Sequence, residues 1–137
     1  MKKLSLLLAA LLVCCALIPA MAEDYGIVVV PAQSLEDFYG SWEACAALVD
    51  PFMMKIDESR PFRGYPATLE IGEGGITLSL EGTDYALTGE LNADGALETV
   101  DEAGDSRVFC LNNDGTISLD LVVDDTAVTL YFQSAAD

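Results

Sequence analysis

The stretch of residues 50–66, DPFMMKIDESRPFRGYP, concentrates the side chains best suited to binding chemistry. It carries Lys55, Arg60 and Arg63, three of the chain's six basic residues, the others being Lys2, Lys3 and Arg107. Interleaved with them are Phe52, Met53, Met54, Phe62 and Tyr65. Adaptable thioethers and aromatic rings beside cations suit an amphiphile with an acidic head, the guanidinium forks taking the head and the apolar side chains the tail. A plainer reading is also open: the cations offset Asp50, Asp57 and Glu58, and the apolar residues pack the segment down. Its length exceeds that of a hairpin turn, and long loops of this kind are often lids or binding loops.

Other chemistries are poorly supplied. The chain has no histidine, which removes histidine-based triads, imidazole acid–base catalysis and the common zinc sites. Paired carboxylates could serve glycoside hydrolysis, but 23 acidic residues scattered mainly in turns single out no pair. The reading is therefore non-catalytic, with no cofactor and no metal. Two Asn-x-Asp-Gly segments, Asn92–Gly95 and Asn112–Gly115, offer oxygen ligands for calcium. They lack the further ligands and the spaced glutamate of a calcium loop and read better as hairpin turns. With a formal net charge of -17, the surface repels nucleic acid and anionic headgroups, and neither is an expected partner.

Lys2 and Lys3 precede an apolar run, Leu4 to Pro19, that ends in Ala20-Met21-Ala22 and is followed at once by Glu23 and Asp24. This is the pattern of a secretory signal peptide over residues 1–22, too short and wrongly flanked for a membrane span. The expected product is secreted or held in the cell envelope, with no transmembrane segment in the mature chain. Cys14 and Cys15 leave lipid anchoring as an alternative, although the bulky Val13 precedes the first. Outside that region the cysteines are Cys45 and Cys110, and export to an oxidising compartment makes a disulfide between them the expectation. The geometry argues back, since strands one and six of a round barrel are not neighbours and a bridge needs Cα atoms within about 7 Å.

What must hold the binding segment in place is a β-structure. Short alternating stretches follow one another from Ser41 to Gln133: Ser41–Val49, Ala67–Ile71, Ile76–Leu80, Asp84–Leu91, Leu97–Val100, Arg107–Leu111, Ile117–Val123 and Val128–Gln133. Glycine- and aspartate-rich turns separate them. On the first, Trp42, Ala44, Ala46 and Leu48 are expected to share a face. Ser34 with Asp37 suggests a capped helical turn before Gly40. Residues 23–33 form either a tether or an edge strand, limited by Pro31. The fold class expected for residues 34–137 is thus all-β, a small antiparallel up-and-down barrel of about eight strands with a short N-terminal helical turn.

The helical turn followed by Gly40-Ser41-Trp42 at the head of the first of eight strands resembles the lipocalin-like (calycin-type) barrels. That resemblance implies that Trp42 plugs the barrel floor and that the segment 50–66 overhangs the open mouth. It implies a binding protein for a small apolar or amphipathic ligand, with Lys55, Arg60, Arg63, Phe52, Met53, Met54, Phe62 and Tyr65 at the lid and mouth. Two features depart from the family: Thr83-Asp84-Tyr85 lies too early for its late-loop motif, and no arginine follows the last strand. Trp42 as an ordinary core residue of another β-sandwich stays open, as does a filled barrel presenting loops to a protein partner.

Overall fold

The computed structural model describes residues 26–135; the signal peptide expected over residues 1–22 lies outside them. A strand with alternate apolar side chains has one face to hide, and a curled sheet hides all such faces against one another. Ten strands form: β1 (Val29–Val30), β2 (Gly40–Val49), β3 (Phe52–Lys55), β4 (Thr68–Gly72), β5 (Gly75–Leu80), β6 (Thr83–Leu91), β7 (Leu97–Val100), β8 (Ser106–Asn112), β9 (Ile117–Val123) and β10 (Thr126–Ser134). The eight apart from β1 and β3 are the eight expected from the alternation. They pair antiparallel in the ring β2-β4-β5-β6-β7-β8-β9-β10, which closes where β10 meets β2. The protein is an all-β closed barrel.

The inward positions are filled. Leu69, Leu78, Leu97, Phe109, Leu130 and Phe132 are wholly buried. Burial of this kind stabilises a domain by about 25 cal/mol for each Å² removed from water, and it leaves the barrel axis occupied by side chains. At one end Leu35–Phe38 makes a single 3-10 turn. Asp37 organises it as expected, its carboxylate accepting from the backbone N–H groups of Gln33 (2.9 Å) and Ser34 (3.3 Å). This turn brings the wholly buried Phe38 under Trp42, whose indole Nε1 donates to the Phe38 carbonyl at 2.9 Å.

Two short strands extend the ring at its edges. β1 pairs with β8 beyond the end of β7, Val30 opposite Leu111, and Asn113 fastens it by donating to the carbonyls of Val28 (2.8 Å) and Gly26 (3.1 Å). The edge-strand alternative is the one adopted, and Pro31 ends it. β3 lies within the supposed loop and pairs with the upper half of β2, while β4 takes the lower half.

Between those two partners β2 bulges, because Tyr131 faces Ala46 and the next residue, Phe132, faces Ala44, leaving Cys45 as the extra residue. The bulge corrects the expected face of β2. Trp42, Ala44 and Ala47 belong to the core, whereas Leu48 packs on the outer wall with Tyr131, beside Ala46, Cys45 and Met53. The bulge shifts the phase of alternation by one residue, and this is invisible in a run as uniformly apolar as Ala44–Val49.

The expected Cys45–Cys110 disulfide is also corrected: both thiols are free. β10 and β9 stand between β2 and β8. Three strand spacings of about 4.8 Å separate the cysteines by twice the reach of a bridge. Burial, then the charges of Asp120 and Asp94, pushes the Cys110 thiol up to about 12. Burial chiefly, with Asp114 and Glu43, raises Cys45 as well.

Candidate functional site

The chain leaves β3 at Ile56, whose N–H donates to the Cys45 carbonyl at 3.0 Å, and rejoins the wall at Ala67, whose carbonyl accepts from Ala44 N–H at 2.9 Å. Between these anchors it folds back on itself twice. Asp57 and Arg60 close one turn through reciprocal backbone bonds of 3.3 and 3.0 Å, and Phe62 and Tyr65 close a second. The Asp57 carboxylate is spent inside its own turn, accepting from the Ser59 hydroxyl at 2.8 Å and from the Ser59 N–H at 3.0 Å. The hydroxyl bond is the main reason its carboxyl titrates below the ordinary value, with the charge of Lys55 a smaller contribution.

This segment lies over the end of the barrel opposite Trp42. Phe62 is turned down into the core, and Arg63 reaches Glu81 (3.2 Å) and Asp124 (3.3 Å) on the turns after β5 and β9. Tyr65 lies on Gly82, where a Cβ would sit 3.2 Å from the ring. On the far side of the same mouth Arg107 projects inward, its guanidinium 4.5 Å above the Tyr85 ring and 2.6 Å from the Asp101 carboxylate. That pair is nearly sheltered, with side-chain exposures of 15% and 6%. Sequence inspection does not single it out, because Asp101 sits in an ordinary acidic turn.

Between the lid and strands β2, β9 and β10 is a cleft of about 350 Å³. Its wall is apolar, formed by Ala47, Val49, Ile56, Phe62, Val123 and Val128, and its edge carries Lys55, Arg60, Arg63 and Asp124. The structure therefore brings Met54, Lys55, Arg60, Phe62 and Arg63 together at one opening. It does not bring Phe52, Met53 or Tyr65 there: Phe52 is 68% exposed at the start of β3, Met53 packs on the outer wall against Leu48, and Tyr65 covers Gly82. Ile56, Val49, Val123 and Val128 escaped the sequence reading because two stretches roughly 70 residues apart in the chain, on the order of half its length, meet only when the ring closes.

The four basic residues of the described chain differ in their partners. Arg107 and Arg63 are paired with carboxylates, whereas among the described residues neither Lys55 nor Arg60 makes an ion pair. The room that Gly89 leaves inside the barrel is taken, since a Cβ there would meet Thr99 Cγ2 and the Glu98 carbonyl at 2.7 Å. The Asn-x-Asp-Gly segments are turns whose side-chain oxygens accept local donors, Asn92 Oδ1 from Asp94 and Ala96 and Asp114 Oδ1 from Thr116. No helix among the described residues is long and apolar enough to cross a membrane. In comparisons with known proteins, no family model, no curated protein and no solved structure matches the chain.

Proposed function

We propose that the protein is an exported, non-catalytic binding protein of lipocalin-like kind, taking a small amphipathic anion in the cleft between its lid and the barrel mouth. The observation that carries this reading is the pair Lys55 and Arg60, which form no ion pair among the described residues and stand at the edge of an apolar cleft in a chain of net charge -17. An acidic protein has abundant means of neutralising such groups, and leaving two outside any ion pair of the described residues beside apolar surface suits recognition of an anion. The secretory pattern of the first 22 residues supports action outside the cell.

The filled interior limits the ligand. With the barrel axis occupied, a tail lies along Val49, Ile56, Val123 and Val128 instead of descending toward Trp42. A cleft of about 350 Å³ is at the small end of ligand sites, which favours a medium-chain carboxylate over a long-chain one. Tail burial supplies most of the affinity, at roughly 0.8 kcal/mol per methylene less the cost of immobilisation.

Titration calorimetry of the mature protein with decanoate and with decanol is the test. Decanoate is expected to bind saturably and more tightly than the alcohol. Lys55→Gln and Arg60→Gln are each expected to weaken it by about tenfold, as for a lost charge-assisted hydrogen bond. Trp42 lies about five residues of strand, roughly 16 Å, below Ala47 at the foot of the cleft, so calorimetry is a better readout than its fluorescence. Equal affinity for acid and alcohol would remove the cationic site. An absence of binding would favour the second reading, a filled barrel presenting Phe52, Met54 and Tyr65 to a protein partner, which the exposure of those three side chains supports.

A further inference from the structure

Three tight turns meet at the barrel mouth with the same backbone. Arg63 and Gly64 have φ of 52° and 85°, Glu81 and Gly82 have 53° and 81°, and Asp124 and Asp125 have 51° and 65°. Positive φ at both central residues is the mark of the type I′ hairpin turn. In each the first central residue is charged, and these three charges are joined: Arg63 to Glu81 at 3.2 Å and to Asp124 at 3.3 Å. In the ring of eight strands the β5–β6 turn and the β9–β10 turn are four places apart in either direction, so they stand on opposite rims. Arg63 thus ties one rim to the other across the mouth, with Phe62 buried beneath it.

We propose that residues 57–66 are a movable wall of the cleft, that Arg63 is its latch between Glu81 and Asp124, and that release of this latch lifts Phe62 and widens the cleft for the ligand. The inference rests on reading the cleft as a ligand site and adds how that site is opened. The chain is anchored at Ile56 and at Ala67, and between them the backbone pairs within its own two turns, Asp57 with Arg60 and Phe62 with Tyr65. The tie itself is weak by construction. The side chains of Arg63, Glu81 and Asp124 are 40%, 43% and 82% exposed, and exposed ion pairs are worth little and are screened by salt. Lys55 and Arg60 hold the ligand, whereas Arg63, already paired, is a positioning residue for the lid.

Hydrogen exchange on the ligand-free mature protein tests the latch without a ligand. Arg63→Gln is expected to speed exchange at the amides of Arg60 and Tyr65 by about 3- to 10-fold, the range that exposed ion pairs support, and to leave the amides of β5 and β9 unchanged. Added salt at 0.5 M should do the same to the unmodified protein. In a Glu81→Gln, Asp124→Asn background, Arg63→Gln should have no further effect. The latch is overturned by unchanged exchange in Arg63→Gln, by an equal effect in the doubly substituted background, or by acceleration throughout the barrel. With decanoate as the probe, Arg63→Gln should raise association and dissociation rates together, by a similar factor of about 3- to 10-fold, with Kd nearly constant. A tenfold loss of affinity with unchanged rates of association would make Arg63 a ligand contact and overturn its role as latch. Latch-dependent exchange in a protein that binds no decanoate would support the strap and overturn the cleft as its object.

Discussion

Arg107 and Asp101 show how this acidic chain uses a cation that it does not leave at the surface. The Asp101 carboxylate accepts from the Arg107 guanidinium at 2.6 Å and from the N–H groups of Ala103 (2.9 Å) and Asp105 (3.0 Å). Those donors, the guanidinium first, hold its carboxyl below the ordinary 3.8. A carboxyl that titrates lower in the folded than in the unfolded chain adds stability above the unfolded value and loses it as the pH falls through the folded one. Denaturant midpoints measured from neutral pH downward should therefore fall off below about pH 4. Asp101→Asn should be less stable at neutral pH, because Arg107 loses its partner over Tyr85, and should show a shallower acid limb. An acid limb identical to that of the unmodified protein would show that Asp101 does not carry the linkage.

At the scale of the element, the turns are where sequence and backbone disagree most usefully. Two of the three mouth turns place glycine at the second central position, but the β9–β10 turn uses Asp124-Asp125, with Asp125 at φ 65°. A non-glycine residue in that region costs about 1–2 kcal/mol, which glycine avoids while losing part of the gain in backbone entropy. Asp125→Gly should accordingly stabilise the barrel by about 0.5–1 kcal/mol in chemical unfolding, without touching the Asp124 contact to Arg63. The bulge at Cys45 is a second local device. It lies where β2 changes partner from β4 to β3, and the space between those partners is the interval from which the lid emerges.

For the molecule as a whole, closure of the ring decides what each end can do. The Trp42 end is sealed: the indole is 8% exposed and bonded to the carbonyl of the wholly buried Phe38. Trp42→Phe keeps an aromatic ring but loses part of the indole's volume and orphans that carbonyl, and it should cost about 1–3 kcal/mol in equilibrium unfolding while leaving any decanoate binding at the distant cleft unchanged. A parallel loss of binding would mean that the floor and the mouth are coupled through the packed core. The mouth end is covered by the turns of residues 57–66, with Phe62 beneath Arg63 on one side, and by Arg107 on Tyr85 on the other.

Local chemistry alone determined most of the barrel. Strict alternation in Ile76–Leu80, and near-alternation in Ile117–Val123 and Val128–Gln133, broken by glycine- and aspartate-bearing turns, marks strands that pair with their neighbours in the chain, and eight of them close a ring. Asp37 at the helical turn and Pro31 at the edge strand were legible for the same reason, since each acts within a few residues of itself. The fate of Cys45 and Cys110 was not legible, because the number of strands between them is a property of the ring. Nor was the reversal of Leu48 to the outer wall, which follows from one extra residue opposite Tyr131 and Phe132. The cations of residues 50–66 were visible as a cluster, but the selection of Arg63 as the one that forms ion pairs among the described residues depends on Glu81 and Asp124. Those carboxylates lie 18 and 61 residues further along the chain, and only the closed sheet carries them to the mouth.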